Sequence, residues 1–169
     1  MRTTLLVTAI LGLGLLAATL PSPGDDTARA KALLAPFAGT WATEFSMVGM
    51  PASKGAEVVT AFPHGLAVAV TSRADGYEGH GLIGYDPRTG KYMHVWADTM
   101  TPGLMVSEGH FSADGKSFTV EGEHETAAGK VPVDMTMHID DADHMTWTMK
   151  PKGDDAAPAI MSMKYTRKP

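Results

Sequence analysis

An alternation of apolar and polar residues with a period of two begins at Gly39 and continues almost to the end of the chain. In residues 131–139, for example, five apolar side chains alternate with proline, aspartate, threonine and histidine. This pattern is typical of β-strands that bury one face. Glycine, proline and aspartate recur between the alternating runs, and the chain holds 18 glycines and 11 prolines. The pattern therefore indicates many short strands joined by tight turns.

The alternation predicts about ten strands. They cover residues 39–47, 57–62, 65–73, 77–86, 91–99, 103–111, 116–125, 131–139, 144–150 and 159–167. Successive strands with short loops favour antiparallel hairpins, and a sheet this long normally closes because closure removes its edges. Residues 25–37 predict a short helix that Pro36 and Gly39 end. We therefore expect an all-β, ten-stranded antiparallel barrel at 39–169, preceded by a linker and short helix at 23–38.

Residues 1–22 are typical of a secretory signal peptide. Arg2 supplies a positive charge, and residues 5–18 form an apolar core of 14 residues. That core is shorter than the ~20 residues that a membrane-spanning helix needs. Small and turn-forming residues follow, which favours cleavage between 18 and 24, although an uncleaved anchor is the alternative. We expect a periplasmic or secreted protein whose mature chain has no membrane span.

Charge and cysteine content exclude several function classes. The net charge is −5, and lysine and arginine form no cluster that could neutralise phosphates, which argues against nucleic acid. The absence of cysteine excludes a disulfide, a zinc–thiolate site, a cysteine nucleophile and a lipoprotein anchor. The serine-hydrolase elbow, the paired histidines of zinc proteases and a calcium loop are also missing.

Several short motifs are similar to those of known barrel families. Gly39-Thr40-Trp41 resembles the G-x-W signature of lipocalins and their calycin relatives. In those barrels the tryptophan closes one end and a basic residue packs on it, roles that the resemblance gives to Trp41 and Arg167. A fuller match, across residues 34–168, resembles an uncharacterised bacterial family filed as domain of unknown function 1579. Its segments are LAPFAGTW at 34–41, EGHGLIGYD at 78–86, KY at 91–92, WADTM at 96–100 and YTRK at 165–168.

That resemblance implies a lipocalin-like β-barrel and leaves the activity open. In the strand at 91–99, alternation alone does not decide which face is inside. The family pattern stresses the face with Tyr92, Trp96 and Asp98, so the resemblance implies that this face points inward. Glu78 and His80 are then expected to join it from the neighbouring strand. The candidate ligand-binding residues are Glu78, His80, Tyr92, His94, Trp96, Asp98, Met135 and Met137.

The methionines allow two interpretations of the barrel interior. Alternation places Met135 with Met137, and Met161 with Met163, on one strand face. Thioether side chains are flexible and polarizable, so they suit a pocket for apolar ligands as well as a filled core. Thioether and imidazole donors also suit copper(I), although no spacing typical of a metal site occurs.

The sequence therefore predicts an exported, non-catalytic barrel that binds a small apolar or amphipathic molecule with a polar end. The alternative for the polar cluster is an internal hydrogen-bond network that fixes strand register. Three other functions stay open: periplasmic copper(I) or haem binding, an acid/base enzyme using His80 and Asp98, and a surface or assembly protein with a solid core. The sequence identifies no cofactor, no catalytic residue and no metal ligand.

Overall fold

The computed structural model describes residues 23–100, 103–126, 129–154 and 156–169. Within these residues the chain forms one α-helix, one turn of 3₁₀-helix and ten β-strands. The helix α1 (Pro23–Leu34) and the 3₁₀ turn (Ala35–Phe37) precede β1 (Gly39–Met47), β2 (Ser53–Ala61), β3 (Ala67–Ala74), β4 (Tyr77–Asp86), β5 (Lys91–Asp98), β6 (Met105–Phe111), β7 (Ser117–Thr126), β8 (Gly129–Ile139), β9 (His144–Pro151) and β10 (Met161–Arg167). The predicted leader, residues 1–22, lies outside the described residues.

The ten strands form one closed antiparallel barrel. Each strand pairs with the next along the chain, and β1 pairs with β10 to complete the ring. Closure gives every one of these strands two neighbours, so none of the ten is an edge strand. The prediction of a ten-stranded antiparallel barrel with a short N-terminal helix is confirmed. Of the helices in the described ranges, none has the length and apolar character that a membrane crossing requires.

The strand limits differ from the prediction chiefly in β2, which begins at Ser53 rather than at residue 57. The helix begins at Pro23 rather than at residue 25 and ends at Leu34, before the predicted residue 37, because the chain tightens there into a 3₁₀ turn that contains Pro36. Proline has no backbone N–H to continue an α-helix, so the tighter turn replaces the last α-helical one.

One end of the barrel, which we call the closed end, is covered by α1 and the 3₁₀ turn. Ala30 and Leu34 of α1 are buried, and Leu33 reaches Gly115 in the loop between β6 and β7. Below them Trp41 is fully buried. The opposite end, where β1 ends and β4 begins, we call the open end, and within the described residues α1 gives it no such cover.

Trp41 and Arg167 tie the helix to the closed end. The indole N–H of Trp41 donates a hydrogen bond to the Phe37 carbonyl at 3.0 Å. The Arg167 guanidinium lies 4.0 Å from the centre of the Trp41 ring, which is the cation–π contact that the lipocalin resemblance implied. It also donates hydrogen bonds to the carbonyls of Pro36 and Ala38. Arg167, the last residue of β10, thus holds the 3₁₀ turn that precedes β1 against the barrel.

Candidate functional site

The face of β5 that carries the candidate residues points into the barrel. His94 pairs with Ile83 and Asp98 pairs with Gly79, and residues that pair directly across antiparallel strands share a face. Ile83 and Gly79 are both buried, so that face is the inner one. The structure therefore places the side chains of Tyr92, His94, Trp96 and Asp98 inside.

These four side chains do not form one cluster, because β5 runs from the closed end to the open end. Tyr92 belongs to the closed end, where its ring lies 5.0 Å from the rings of Tyr85 and Phe111. Asp98 follows six residues later, about 20 Å along an extended strand. Tyr92 is thus a packing residue of the closed end, and only Trp96 and Asp98, with His94 beside them, lie toward the open end.

Trp96 lies flat against the wall of the barrel. A Cβ atom added to Gly79 or Gly81 of the neighbouring strand would lie 2.5 Å from a ring carbon of Trp96. Both glycines are therefore needed for the indole to lie against the backbone of β4. Along β4 these two inward glycines alternate with larger residues that face outward, which leaves space for the indole. One face of the indole is used by the wall, and the other is turned toward the interior.

Asp98 and Tyr77 fix the edge of the Trp96 ring. The indole N–H donates a hydrogen bond to the Asp98 carboxylate at 2.9 Å and also interacts with the Tyr77 hydroxyl. The backbone N–H of Met100 donates to the other carboxylate oxygen of Asp98 at 2.8 Å. Burial, with the nearby charge of Asp98, raises the pKa of Tyr77 to about 12, so its hydroxyl stays protonated at neutral pH. Trp96, Asp98 and Tyr77 form what we call the mouth cluster.

His94 lies one inward position deeper than Trp96. Its ring is nearly parallel to the indole, with 6.3 Å between the ring centres and 15° between the planes. Burial lowers the pKa of His94, so the imidazole is neutral at physiological pH. Its Nδ1 atom is shielded from solvent and has no hydrogen-bond partner within the part of the chain that the structure describes. A shielded polar atom without a partner is costly, and a ligand group could satisfy it.

A buried acid on β2 was missed by the sequence interpretation. Glu57 is only 4% exposed and accepts hydrogen bonds from the hydroxyls of Ser72 and Tyr165. Burial raises the pKa of Glu57 to about 7, because the charged form loses its hydration, and the two hydrogen bonds offset only part of that effect. Burial and the charge of Glu57 also hold the pKa of Tyr165 well above its usual range. The alternation of apolar and polar residues in β2 is too weak to assign an inner face, so the burial of Glu57 could not be predicted.

Glu78 and His80 lie on the outside of the barrel, so the expectation that they join Trp96 and Asp98 is wrong. His80 pairs with Thr71 and Ala97, which are outward positions, and its side chain is 58% exposed. Glu78 accepts hydrogen bonds from Arg73 at 3.0 Å and from His80 at 2.9 Å. The hydrogen bond from Arg73, followed by that from His80, lowers the pKa of Glu78. Strand alternation is the reason, because even-numbered residues of β4 point away from the interior.

The same geometry separates His80 from Asp98. The imidazole is on the outer wall and the carboxylate on the inner wall, so the two cannot exchange a proton with one bound molecule. The prediction that His80 and Asp98 act together as an acid and a base is therefore wrong.

The candidate methionines do face inward. Met135 is 5% exposed, and Met137 is partly buried two residues further along β8. Directly paired positions extend Met135 into a row of four thioethers across β8, β9, β10 and β1. The row consists of Met135, Met149, Met161 and Met47. His144, by contrast, lies outside and contacts Asp141 at 2.9 Å.

In the described residues no three histidine, aspartate or glutamate side chains come together as a metal site. The methionine row provides soft donors, but the nearby His144 imidazole is on the other side of the wall. Copper(I) or haem binding stays a prediction from residue types alone.

The inward side chains at the open end are large, mostly apolar and partly exposed. They include Phe45, Met47, Tyr77, Trp96, Met105, Trp147, Met161 and Met163. The rim beside them carries a depression of about 370 Å³ that Tyr77 lines together with Arg73 and Thr99. A second depression, of about 270 Å³, lies mainly on the outer wall near His144 and Lys164. Tyr77 lines the rim depression and also belongs to the mouth cluster.

Comparisons with known proteins identify a family and give distant fold likenesses. Residues 26–167 match the family model described as "Protein of unknown function (DUF1579)". No curated protein gave a match. An S-type phycobiliprotein lyase, CPES, from Guillardia theta is 9% identical over 88% of this chain and 99% of the lyase chain, with a TM-score of 0.47. A redesigned β-barrel, mFAP1, solved with bound DFHBI, is 12% identical over 83% of this chain and 99% of its own, with a TM-score of 0.41. At these identities the likeness concerns the path of the backbone.

Proposed function

The chain belongs to the DUF1579 family of proteins of unknown function, and on that premise we propose that it is a non-catalytic binding protein for a small, largely apolar molecule. The ligand enters the barrel from the open end and lies against the inward-facing thioether and aromatic side chains. Its polar end is oriented by Trp96, Asp98 and Tyr77, with the His94 Nδ1 as a further hydrogen-bonding atom.

The observation that carries this proposal is the apolar side-chain surface that stays exposed to solvent at the open end. Large inward side chains such as Trp147 and Met161 remain partly exposed there, although their strands are closed into a ring. Apolar surface that solvent reaches is a source of binding free energy, about 25 cal/mol for each Å² that a ligand covers. A few polar groups beside it provide orientation, which is the usual composition of a small-molecule site.

We also propose that the protein acts outside the cytoplasm. The leader-like residues 1–22 support this, since a short apolar core follows Arg2 and small residues follow the core. N-terminal sequencing of protein isolated from its host tests the leader, because a mature chain that begins between residues 18 and 24 is expected. A chain that retains Met1 would contradict cleavage.

Binding can be tested with Nile red, a neutral apolar dye whose fluorescence rises in apolar surroundings. The protein should bind it, and Met161→Lys should abolish binding by placing a charge among the apolar side chains of the open end. Ser162→Lys is the matched control, because the neighbouring side chain of β10 points outward. It should leave dye binding unchanged. Circular dichroism verifies that both variants fold.

Two results would contradict the proposal. One is the absence of dye binding by the unmodified protein, together with native mass spectra of host-purified protein that contain no bound molecule. The other is equal dye binding by folded Met161→Lys and by the unmodified protein, because the dye would then bind outside the barrel.

A further inference from the structure

Exposed apolar side chains are concentrated on two loops of the open end. Val48 and Met50 lie in the loop between β1 and β2, and they are 75% and 55% exposed. Met100 and Leu104 lie in the loop between β5 and β6, and they are 71% and 66% exposed. Three of these four are the most exposed large apolar residues in the part of the chain that the structure describes. We call the four side chains the apolar rim.

Backbone hydrogen bonds hold both loops in place. The Val48 N–H donates a hydrogen bond to the Ile160 carbonyl at 3.2 Å, which ties the first loop to the loop between β9 and β10. The Met100 N–H donates to the carboxylate of Asp98 at 2.8 Å, which ties the second loop to the mouth cluster. Each loop is thus anchored at the residue that is its most exposed apolar one among those described.

The loops at the closed end have the opposite character. The loop between β4 and β5 carries Arg88, which forms an ion pair with Asp86 at 3.0 Å. The loop between β8 and β9 contains aspartates at positions 141 and 143. Phe62, a large apolar residue exposed at this end, is 39% exposed, and its ring stacks with that of His64. Of the two ends, as far as they are described, the open one therefore presents the larger apolar surface on its loops.

The charge around the apolar rim matches a surface without net charge. Residues 48–52 and 99–104 include no charged residue. Basic side chains elsewhere at the open end pair with acids, as Arg73 does with Glu78 and Lys152 with Glu121. Binding to an anionic membrane depends on lysine and arginine close to the surface, and the net charge of this chain is −5. The rim therefore suits a zwitterionic surface better than an anionic one.

The arrangement of the apolar rim favours lipid over a protein partner. In the ring of strands, β3 and β4 lie between the two loops, so the exposed side chains stand at separate points of the open end. A protein interface is built around a continuous, well-packed core. A fluid bilayer can instead take up separate apolar side chains, and the strength of binding increases with the apolar area that enters it.

We propose that the open end docks on the surface of a zwitterionic lipid bilayer, with the apolar rim in the head-group layer. This inference goes beyond the function proposed above, because docking requires no ligand. In the docked orientation the barrel opens toward the bilayer. An apolar ligand of the kind proposed above then passes between bilayer and barrel without crossing water.

The absence of cysteine permits a test with one labelled site at a time. Val48→Cys and Met100→Cys, labelled with the fluorophore NBD, report on the rim, Leu82→Cys on the outer wall and Phe62→Cys on the closed end. All variants are produced in the host and share one N-terminus. NBD emission rises in apolar surroundings, so phosphatidylcholine vesicles should raise it about twofold or more at the two rim positions. The other two positions should not respond.

Two results of this labelling would overturn the inference. The first is the absence of a rise at both rim positions, which would assign the apolar rim to a protein contact instead. The second is a rise at Leu82→Cys or Phe62→Cys equal to that at the rim, because the wall or the closed end would then contact the lipid.

Vesicle flotation measures how much the rim contributes. Val48→Asp combined with Met100→Asp should lower the partition coefficient for phosphatidylcholine vesicles about tenfold, because two charges replace apolar side chains. Val58→Asp combined with Leu82→Asp is the matched control, since both residues are exposed on the outer wall. It should leave the partition coefficient unchanged. Equal losses in the two folded double variants, verified by circular dichroism, would overturn the assignment to the rim.

Lipid charge separates apolar docking from electrostatic attraction. When a third of the phosphatidylcholine is replaced by phosphatidylglycerol, the partition coefficient should stay equal or fall, because the protein is negatively charged. A rise of about threefold or more on the anionic vesicles would overturn the zwitterionic assignment. Nile red titration without vesicles keeps the two proposals distinct. A protein that binds the dye and no vesicles would overturn docking alone and leave the proposed function in place.

Discussion

The closed end and the open end of the barrel are built from the same alternating strands, yet they use their inward side chains differently. Trp41 at the closed end is fully buried, hydrogen-bonded and stacked under Arg167. Trp96 and Trp147 toward the open end remain partly exposed. The Arg167 guanidinium is directed to the closed end, whereas the mouth cluster contains the Asp98 carboxylate.

This difference separates stability from binding. At the closed end the polar groups of Trp41 and Arg167 are hydrogen-bonded within the protein, and α1 covers the apolar surface. The open end leaves apolar surface exposed, and the His94 Nδ1 atom has no hydrogen-bond partner among the residues that the structure describes. Natural proteins accept such local losses of stability mainly at functional sites. Substitutions at the closed end should therefore affect unfolding, and substitutions at the open end should affect binding.

The largest expected effect on stability is at Trp41, which we compare with Trp147 on the same inner wall. Trp41→Ala should lower the free energy of unfolding by about 4 kcal/mol, because it leaves a cavity and removes the contacts to Phe37 and Arg167. Trp147→Ala should cost about half as much, since that side chain is already partly exposed. Urea unfolding measures both values. Equal losses would contradict the contrast between the ends.

The next effect depends on pH and concerns Glu57. Burial holds its pKa at about 7 in the folded protein, against 4.5 for an exposed glutamate, so the folded state binds the proton more tightly. The protonated carboxyl contributes its full stability below pH 4.5, and this contribution is lost as the pH rises through 7. The difference between the two pKa values corresponds to about 3 kcal/mol.

Glu57→Gln should remove that pH dependence. Compared with the unmodified protein, the variant should gain up to about 3 kcal/mol of relative stability between about pH 4 and about pH 8. Thermal or urea unfolding across this range measures the difference. Glu108→Gln, on the outer wall, is the control and should follow the unmodified protein. A parallel pH profile for Glu57→Gln would show that the carboxyl is ionised in the folded state without penalty.

A smaller effect on stability, with a larger one on binding, is expected at Gly81. Its added methyl group would lie 2.5 Å from the Trp96 ring and push the indole off the wall. Gly81→Ala should cost about 1 to 2 kcal/mol and weaken Nile red binding. Gly84→Ala is the control on the same strand, since Gly84 faces outward and its nearest neighbour would be the Ala67 side chain at 3.2 Å. Unchanged dye affinity in Gly81→Ala would remove Trp96 from the site.

The smallest effect is expected at His80. Because this side chain is on the outer wall, His80→Ala should leave dye affinity and thermal stability almost unchanged. His94→Ala, on the inner wall of the next strand, should weaken dye binding several-fold by altering the shielded surface beside Trp96. The two titrations are compared under the same conditions. A loss of affinity in His80→Ala comparable to that in His94→Ala would contradict the assignment of the two faces.

Much of the fold could be predicted from local sequence, and the reason is physical. A strand that buries one face must alternate, so the segments at 77–86 and 91–99 almost coincide with β4 and β5. The turns between strands require glycine at positions of positive φ, such as Gly76 and Gly90, and these residues identify the loops. Closure then follows from the number of strands.

The site was predictable only in part, because alternation divides a strand into two faces and does not say which one is inside. The resemblance to a family resolved that ambiguity for Trp96 and Asp98 on β5. It did not resolve it for β4, where Glu78 and His80 were assigned to the wrong face. Nor did it point to Glu57, since β2 mixes small, charged and apolar residues on both faces.

The sequence by itself determined that this chain forms about ten strands and roughly where they lie, because alternation and turn residues depend on neighbours within a few residues, and the number of strands then favoured closure. The tertiary structure decided which residues share the interior, because facing depends on the register between strands that are distant in sequence. Register brings Glu57, Tyr77 and Asp98, from three different strands, to one region of the inner wall and directs Arg167 to the other end. Strand alternation alone contains no information about that separation of charge.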